Sequence, residues 1–397
     1  MRTVYDVTTW SVPGSDVTAE SDIGLVINAI IADIKQQQDD PGNRPGAVIY
    51  IPPGTYRLGT QVVIDVSYLQ IKGSGHGFFS NSIRDFADTG GWYERTAGGS
   101  RIAVDLRRAP AILVRRAAAP RLNSIELTGF CLDGVAFDGS ATSYRNGKTG
   151  IDIQSDNDSV VLAGLGMVYL ERGLRVRGAD ALAIRDNFIA ECGSCIELVG
   201  AGMASSVLNN HLGAGPAGYS VFAENHFGLL VSGNNIFPRG RSMVHLRACT
   251  DSSITGNRLH GFHPGMIELE GGCADLLIQG NHLRREPETF DPFKGVTTGR
   301  DDLFGLIHLV GSGHLVTGNL LTHRVPAAQI TPPGAAPTGV LVASGTGMTL
   351  MGTVLRSTAP ARSVVIDARA RDTTVVDCGR VADIVDHATT SRIRPLP

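Results

Sequence analysis

The stretch AIRDNFIAECGSCIEL, residues 183–198, puts a carboxylate where related stretches of the same chain put a glycine. VSGNNI, ITGNRL, IQGNHL and VTGNLL share the pattern apolar, x, Gly, Asn, x, apolar, and Asp186 takes the glycine's place before Asn187. Glycine suits a tight bend because it tolerates positive φ, so a carboxylate there is hard to explain as architecture. Glu197 follows eleven residues later, one turn and one short segment away, and the two are expected to face one cleft. Two carboxylates in one cleft are the equipment of general acid–base chemistry.

A second constellation appears when the register is carried from each Asn to the strand that follows it. GLRVRG, CIELVG, SVFAEN, MVHLRA, MIELEG and LIHLVG align Arg175, Glu197, Phe222, His245, Glu268 and His308, and TGIDIQ adds Asp152 one coil earlier. The flanking positions are mostly Ile, Leu or Val, so these neighbours are expected to point inward and the column outward. Carboxylates, imidazoles and an arginine without lysine, serine or threonine describe a groove for a neutral, hydroxyl-rich ligand. The competing reading is a solvated face.

The element that must position these residues is a repeat. Its asparagines are Asn187, Asn210, Asn234, Asn257, Asn281 and Asn319, spaced 23, 24, 23, 24 and 38, the last step holding an insertion around REPETFDPFKGVTTGRDD. A period of about 23 with several short strands is that of a stacked coil. A leucine-rich repeat has a similar period, but its leucine ladder and helical half are absent. The expected fold class is all-β, a right-handed parallel β-helix with an N-terminal capping α-helix. Stacked amides can hydrogen-bond along such a stack, so Asn187 is read as structural. Residues 18–35 carry Ile23, Val26, Ile27, Ile30, Ile31 and Ile34 at helical spacing, with Ser21 as N-cap. That helix would cover strand edges at the open end of the stack. The expected organisation is one domain, 1–397: a cap at 1–45, coils at 46–380 and a C-terminal tail at 381–397.

With 397 residues, 42% hydrophobic and 18% charged, the chain has the composition of a globular protein. A net charge of −3 gives no electrostatic footprint for nucleic acid or an anionic membrane. No apolar run reaches the roughly 20 residues of a membrane span, and the start MRTVYDVTTW lacks a signal peptide's apolar core. Cys192 and Cys195 are spaced CxxC, but with no second pair the six cysteines read as small core residues. No cluster has convincing metal-ligand spacing, and neither a metal nor another cofactor is expected.

The helix followed by IYIPPGTYRL and LQIKGSG resembles the amino-terminal cap and first coils of the pectate-lyase-like β-helix superfamily. More narrowly, YDVTTW, SDIGLVINAIIADIKQ, GHGFFS, FCLDGV, NGKTGI, VRGADAL, DNFIAECGSCIEL, AENHFGLLVSGNN and DDLFGLIHL resemble the inulin fructotransferases of glycoside hydrolase family 91. The resemblance implies a homotrimer with active sites at subunit interfaces that converts inulin to a cyclic difructose dianhydride, DFA I or DFA III. The family's catalytic Asp and Glu, spaced by eleven, fall on Asp186 and Glu197. Glu197 is expected as the general acid, beside His245 and Glu268 in the column, and Asp186 as base or nucleophile.

The candidate sugar contacts are Arg175, His245, Glu268, Asp152 and Lys148, each weighed against a solvated or interface role, while Phe222 and Phe78 read first as buried packing and otherwise as stacking on a ring. Arg239 and Arg241 would hold a loop or a neighbouring subunit. The alternatives are a dianhydride hydrolase of the same family and a non-catalytic polysaccharide-binding β-helix. The resemblance implies an extracellular lyase, or a cytoplasmic protein if it is the hydrolase.

Overall fold

The computed structural model describes residues 3–37, 46–77, 99–116, 120–135, 144–155, 157–237, 240–288 and 298–394. Phe78 and Arg239 lie outside them. The chain divides into two compact units, Met1–Glu197 and Leu198–Pro397.

In the first unit the chain winds repeatedly through three parallel sheets. Ala47–Ile51, Leu69–Gly73, Glu126–Thr128, Val161–Ala163 and Ala183–Arg185 lie in the first sheet. Gly54–Leu58, Ser100–Val104, Phe130–Asp133, Gly166–Val168 and Phe188–Cys192 form the second. Val62–Ile64, Pro110–Val114, Thr149–Ile153, Arg172–Arg177 and Ser194–Val199 lie in the third. Period-2 patterning makes the core: Ile49, Ile51 and Ile71 are fully buried while Tyr50 and Lys72 between them are not.

One helix, Ala19–Gln36, packs on this unit. Its N-cap is Thr18, whereas the sequence had suggested Ser21. Ser21 instead completes a capping box, its hydroxyl accepting from the Thr18 N–H while its own N–H reaches the Thr18 hydroxyl. Asp22 then breaks the helical backbone and accepts from Gly24 N and Thr60 Oγ1, fastening the helix to the turn before Val62–Ile64. Gly24 is required there, since a Cβ would lie 1.9 Å from the Thr60 carbonyl oxygen. All six isoleucine and valine positions read from the spacing are buried.

The second unit repeats the winding. Strands such as Leu230–Ser232, Ser253–Thr255, Leu277–Gln279 and Leu315–Thr317 pair in parallel, as do Tyr219–Glu224, Ser242–Arg247, Ile267–Glu270 and Ile307–Ser312. Along one corner runs an amide ladder. Asn210 Nδ2 donates to Asn234 Oδ1 (3.0 Å), Asn234 to Asn257 (2.9 Å), Asn257 to Asn281 (2.9 Å) and Asn281 to Asn319 (3.0 Å). The same Oδ1 atoms accept the backbone N–H of the preceding Asn, so buried polar groups at the corner are paired. The stretch expected as a tail adds strands instead: Ile384–Asp386 pairs with Arg362–Ile366, and Arg392–Arg394 with Thr374–Val376.

Candidate active site

Asp186 is the residue after strand Ala183–Arg185, at the corner leading into Phe188–Cys192. Its φ of 57° is left-handed, as are those of Gly164, Gly233, Gly256, Gly280 and Gly318 at the matching corners. Asn209 holds a matching corner at 55°. Asp and Asn tolerate this conformation better than other residues with a Cβ, so the corner survives the loss of glycine. The carboxylate is half-exposed and pairs with Arg185 Nη1 at 2.9 Å. Asn187 beside it is fully engaged with the backbone, accepting from Leu165 N and donating to Leu162 O.

Glu197 projects from the third sheet of the same unit, in Ser194–Val199. Its side chain is 17% exposed, and Arg172 Nε stands 3.3 Å from Oε2. Asp186 thus stands at the corner between the first and second sheets and Glu197 on the third, one corner further along the chain.

Around them, Asp152 and Arg175 are in register on adjacent strands as expected. Asp152 is buried and bound by Arg177 Nη2 at 2.6 Å. Arg175 Nε is buried without a hydrogen-bond partner among the described residues. Lys148 is expected as a ligand contact, yet its ammonium is buried and donates to Val104 O (2.6 Å) and Gly134 O. Burial lowers its pKa, and its geometry is that of a structural cation.

The second unit holds the rest of the column: Phe222, His245, Glu268 and His308 are consecutive register partners. His245 is 2% exposed, with Tyr219 and Phe222 edge-on to it at 5.1 and 5.3 Å. Its Nδ1 lies 3.4 Å from Glu268 Oε2 and its Nε2 3.3 Å from Glu270 Oε2, and neither nitrogen makes a hydrogen bond among the described residues. Burial lowers its pKa against the opposing pull of both carboxylates. Glu268 is gripped by Arg300, whose other nitrogen donates to Arg241 O at 2.6 Å. The Arg300 guanidinium stands 4.8 Å over Phe304, which stacks on His308 at 3.9 Å.

His245, Glu268 and Glu270 bring ligand atoms within 4.8 Å of one another. Arg300 on Glu268 already supplies there the positive charge that a cation would bring. Sequence reasoning missed Arg172, Glu270, Arg300 and Phe304. Glu270 was legible two residues along the strand from Glu268, but Arg300 and Phe304 sit in the insertion that breaks the period. A cavity of about 660 Å³, also in the second unit, is lined by none of the residues proposed from sequence.

Comparison with known proteins fits this architecture. The family described as beta helix repeat of inulin fructotransferase matches residues 280–397. The DFA-I-forming inulin fructotransferase of Arthrobacter globiformis is 47% identical over 403 residues, covering both chains completely. The chain belongs to the inulin fructotransferase family. Among solved structures, DFA-IIIase from Arthrobacter chlorophenolicus A6 in complex with GF2 is 44% identical with a TM-score of 0.93, covering 100% of this chain and 99% of that one. The same enzyme in complex with DFA-III is 42% identical with a TM-score of 0.92 at the same coverage. The sequence resemblance thus led to the right family, and an inulin fructotransferase fold is a scaffold of fructan-acting enzymes.

Proposed function

We propose that the protein is a fructan lyase that releases a cyclic difructose dianhydride from the end of a β-2,1-fructan by intramolecular transglycosylation. The observation that carries this reading is the end-to-end 47% identity to a DFA-I-forming inulin fructotransferase, which also supports DFA I as the product. Breaking a fructoside bond passes through an oxocarbenium-like state, which needs a proton on the leaving oxygen and a carboxylate at the other face of the ring. Asp186 and Glu197 are the two groups assigned to these tasks. The acceptor is a hydroxyl of the neighbouring fructose, and holding it against the anomeric carbon can be worth on the order of 7 to 11 kcal/mol of barrier.

A composite site is supported by the family resemblance and is compatible with the two carboxylates standing on a corner and on a different sheet of one coil. Asp186 of one protomer works beside Glu197 of another in a homotrimer. Family resemblance and a polymeric substrate both support secretion. A second reading, opening of a dianhydride by water, is favoured by the 42–45% identity to DFA-IIIase structures. Incubation with inulin and, separately, with purified dianhydride decides between them by chromatography. Dianhydride accumulating from inulin supports the lyase; consumption of dianhydride with no product from inulin supports the hydrolase.

A further inference from the structure

The cavity in the second unit has the size of a small-ligand site and lies where the repeat is interrupted. Its lining combines aromatic and apolar side chains, Phe262, Pro264 and Phe304, with polar ones, Glu286, Glu288 and Arg300.

Its charges are already matched within the protein. Arg285 is engaged by buried Asp302, and Arg300 by Glu268 and the Arg241 carbonyl. Glu286 is held by Arg284 and by His260 at 2.8 Å, and Glu288 faces His263 at 3.6 Å. An anionic ligand would therefore meet no uncommitted guanidinium and several carboxylates. A neutral polyol would find carboxylate oxygens to accept from its hydroxyls and the Phe262 ring for its C–H surfaces, since Phe304 is already covered by Arg300 and stacked on His308.

The wall is preformed. Asp302, 2% exposed, exchanges backbone and side-chain hydrogen bonds with Thr331 and lies 3.2 Å from His323 Nε2, while Arg285 Nε donates to Phe262 O. Arg300 joins this wall to the outward column, because the side chain that lines the cavity also grips Glu268 and covers Phe304.

We infer that this cavity is a subsite for fructosyl units of the fructan chain remote from the bond that breaks. The inference rests on the fructan reading above and adds to it a determinant of chain-length preference. Phe262 supplies the stacking surface and Glu288 accepts from a sugar hydroxyl. A contact made equally in the ground and transition states raises KM when removed and leaves kcat unchanged.

The test compares Phe262→Ala and Glu288→Gln with the wild type on GF2 and on long-chain inulin, with thermal melting to establish that each variant is folded. KM for long inulin should rise about tenfold in Phe262→Ala, with kcat unchanged and GF2 kinetics within about twofold. Equal losses on both substrates, or no change on either in a folded variant, would overturn the subsite. Calorimetric titration of a long inulin oligomer into Glu197→Gln, with and without Phe262→Ala, reads the cavity independently of turnover. Affinity lost on Phe262→Ala supports the subsite even if the wild type forms no dianhydride, an outcome that would sink only the lyase reading. Unchanged affinity overturns the subsite alone.

Discussion

Asp186 stands on the corner between the first and second sheets of its unit, and Glu197, eleven residues later, projects from the third. In the composite site proposed above, the two would come from two protomers. Asp186→Asn and Glu197→Gln should each keep the fold and lower turnover by about 100-fold or more. Co-expressing the two inactive variants should then restore measurable dianhydride formation, because some interfaces in the mixed oligomers pair an intact Asp186 with an intact Glu197. A mixture as dead as either variant would mean that both act from one chain or that neither is catalytic.

Glu268 is buried, and Arg300 is its main counter-charge. Removing one partner of a buried pair leaves an uncompensated charge, at a cost of roughly 3 to 5 kcal/mol. Arg300→Met should lower the melting temperature by several degrees and reduce kcat/KM. Arg300→Lys should recover stability more than activity, because an ammonium cannot cover Phe304 and reach the Arg241 carbonyl as a planar fork does. A folded Arg300→Met of unchanged stability and activity would remove the pair from the argument.

The amide ladder makes a sharper stability prediction. Asn257 Oδ1 accepts both the backbone N–H and Nδ2 of Asn234, so Asn257→Ala leaves the buried Asn234 N–H without an acceptor while Nδ2 keeps Val207 O and Ser232 O. At about 1 to 3 kcal/mol for an unsatisfied buried group, denaturant unfolding should show a loss of roughly 1 to 3 kcal/mol. A loss below about 1 kcal/mol would show that the ladder is ornamental.

His314 predicts a pH dependence. In its neutral form Nδ1 accepts from Leu276 N at 3.3 Å while Nε2 donates to Val310 O at 3.2 Å, and burial holds its pKa below the ordinary 6.5. Below the unfolded value the unfolded chain takes up a proton that the folded chain refuses. The stabilisation is therefore complete above about pH 6.5 and is lost as the pH falls through the depressed folded value. His314→Asn keeps an acceptor and a donor but cannot titrate, so its melting temperature should fall less than the wild type's between about pH 7.5 and about pH 5. Parallel curves would show that another group governs the acid limb.

What the sequence made legible was whatever repeats. The asparagine spacing revealed the ladder, and the apolar flanks of the column revealed which of its side chains share a register. The sequence did not say on which strand or corner Asp186 and Glu197 stand, because a period counts residues per coil but not corners per coil. It placed the N-cap at Ser21 because a capping box puts two hydroxyl residues three apart and only geometry says which is outside the helix. Lys148 looked like a ligand contact because its distant acceptors are backbone carbonyls, which no side-chain pattern advertises. Arg300 and Phe304 were invisible for the opposite reason, since an insertion belongs to no period.

That insertion has its own consequence. Asn281 and Asn319 are 38 residues apart rather than 23 or 24, yet their amides meet at 3.0 Å, the same distance as between Asn210 and Asn234. The scaffold thus tolerates extra chain between two anchor points without losing its pitch, and the excursion it tolerates brings Arg300 to Glu268 and helps wall the cavity. Selection can rewrite such an excursion while the corner residues stay fixed, so relatives sharing every coil can diverge in the length and linkage of the sugars they accept. For an engineer, the segment between those two asparagines is the place to graft a new preference, and the ladder on either side is the part to leave untouched.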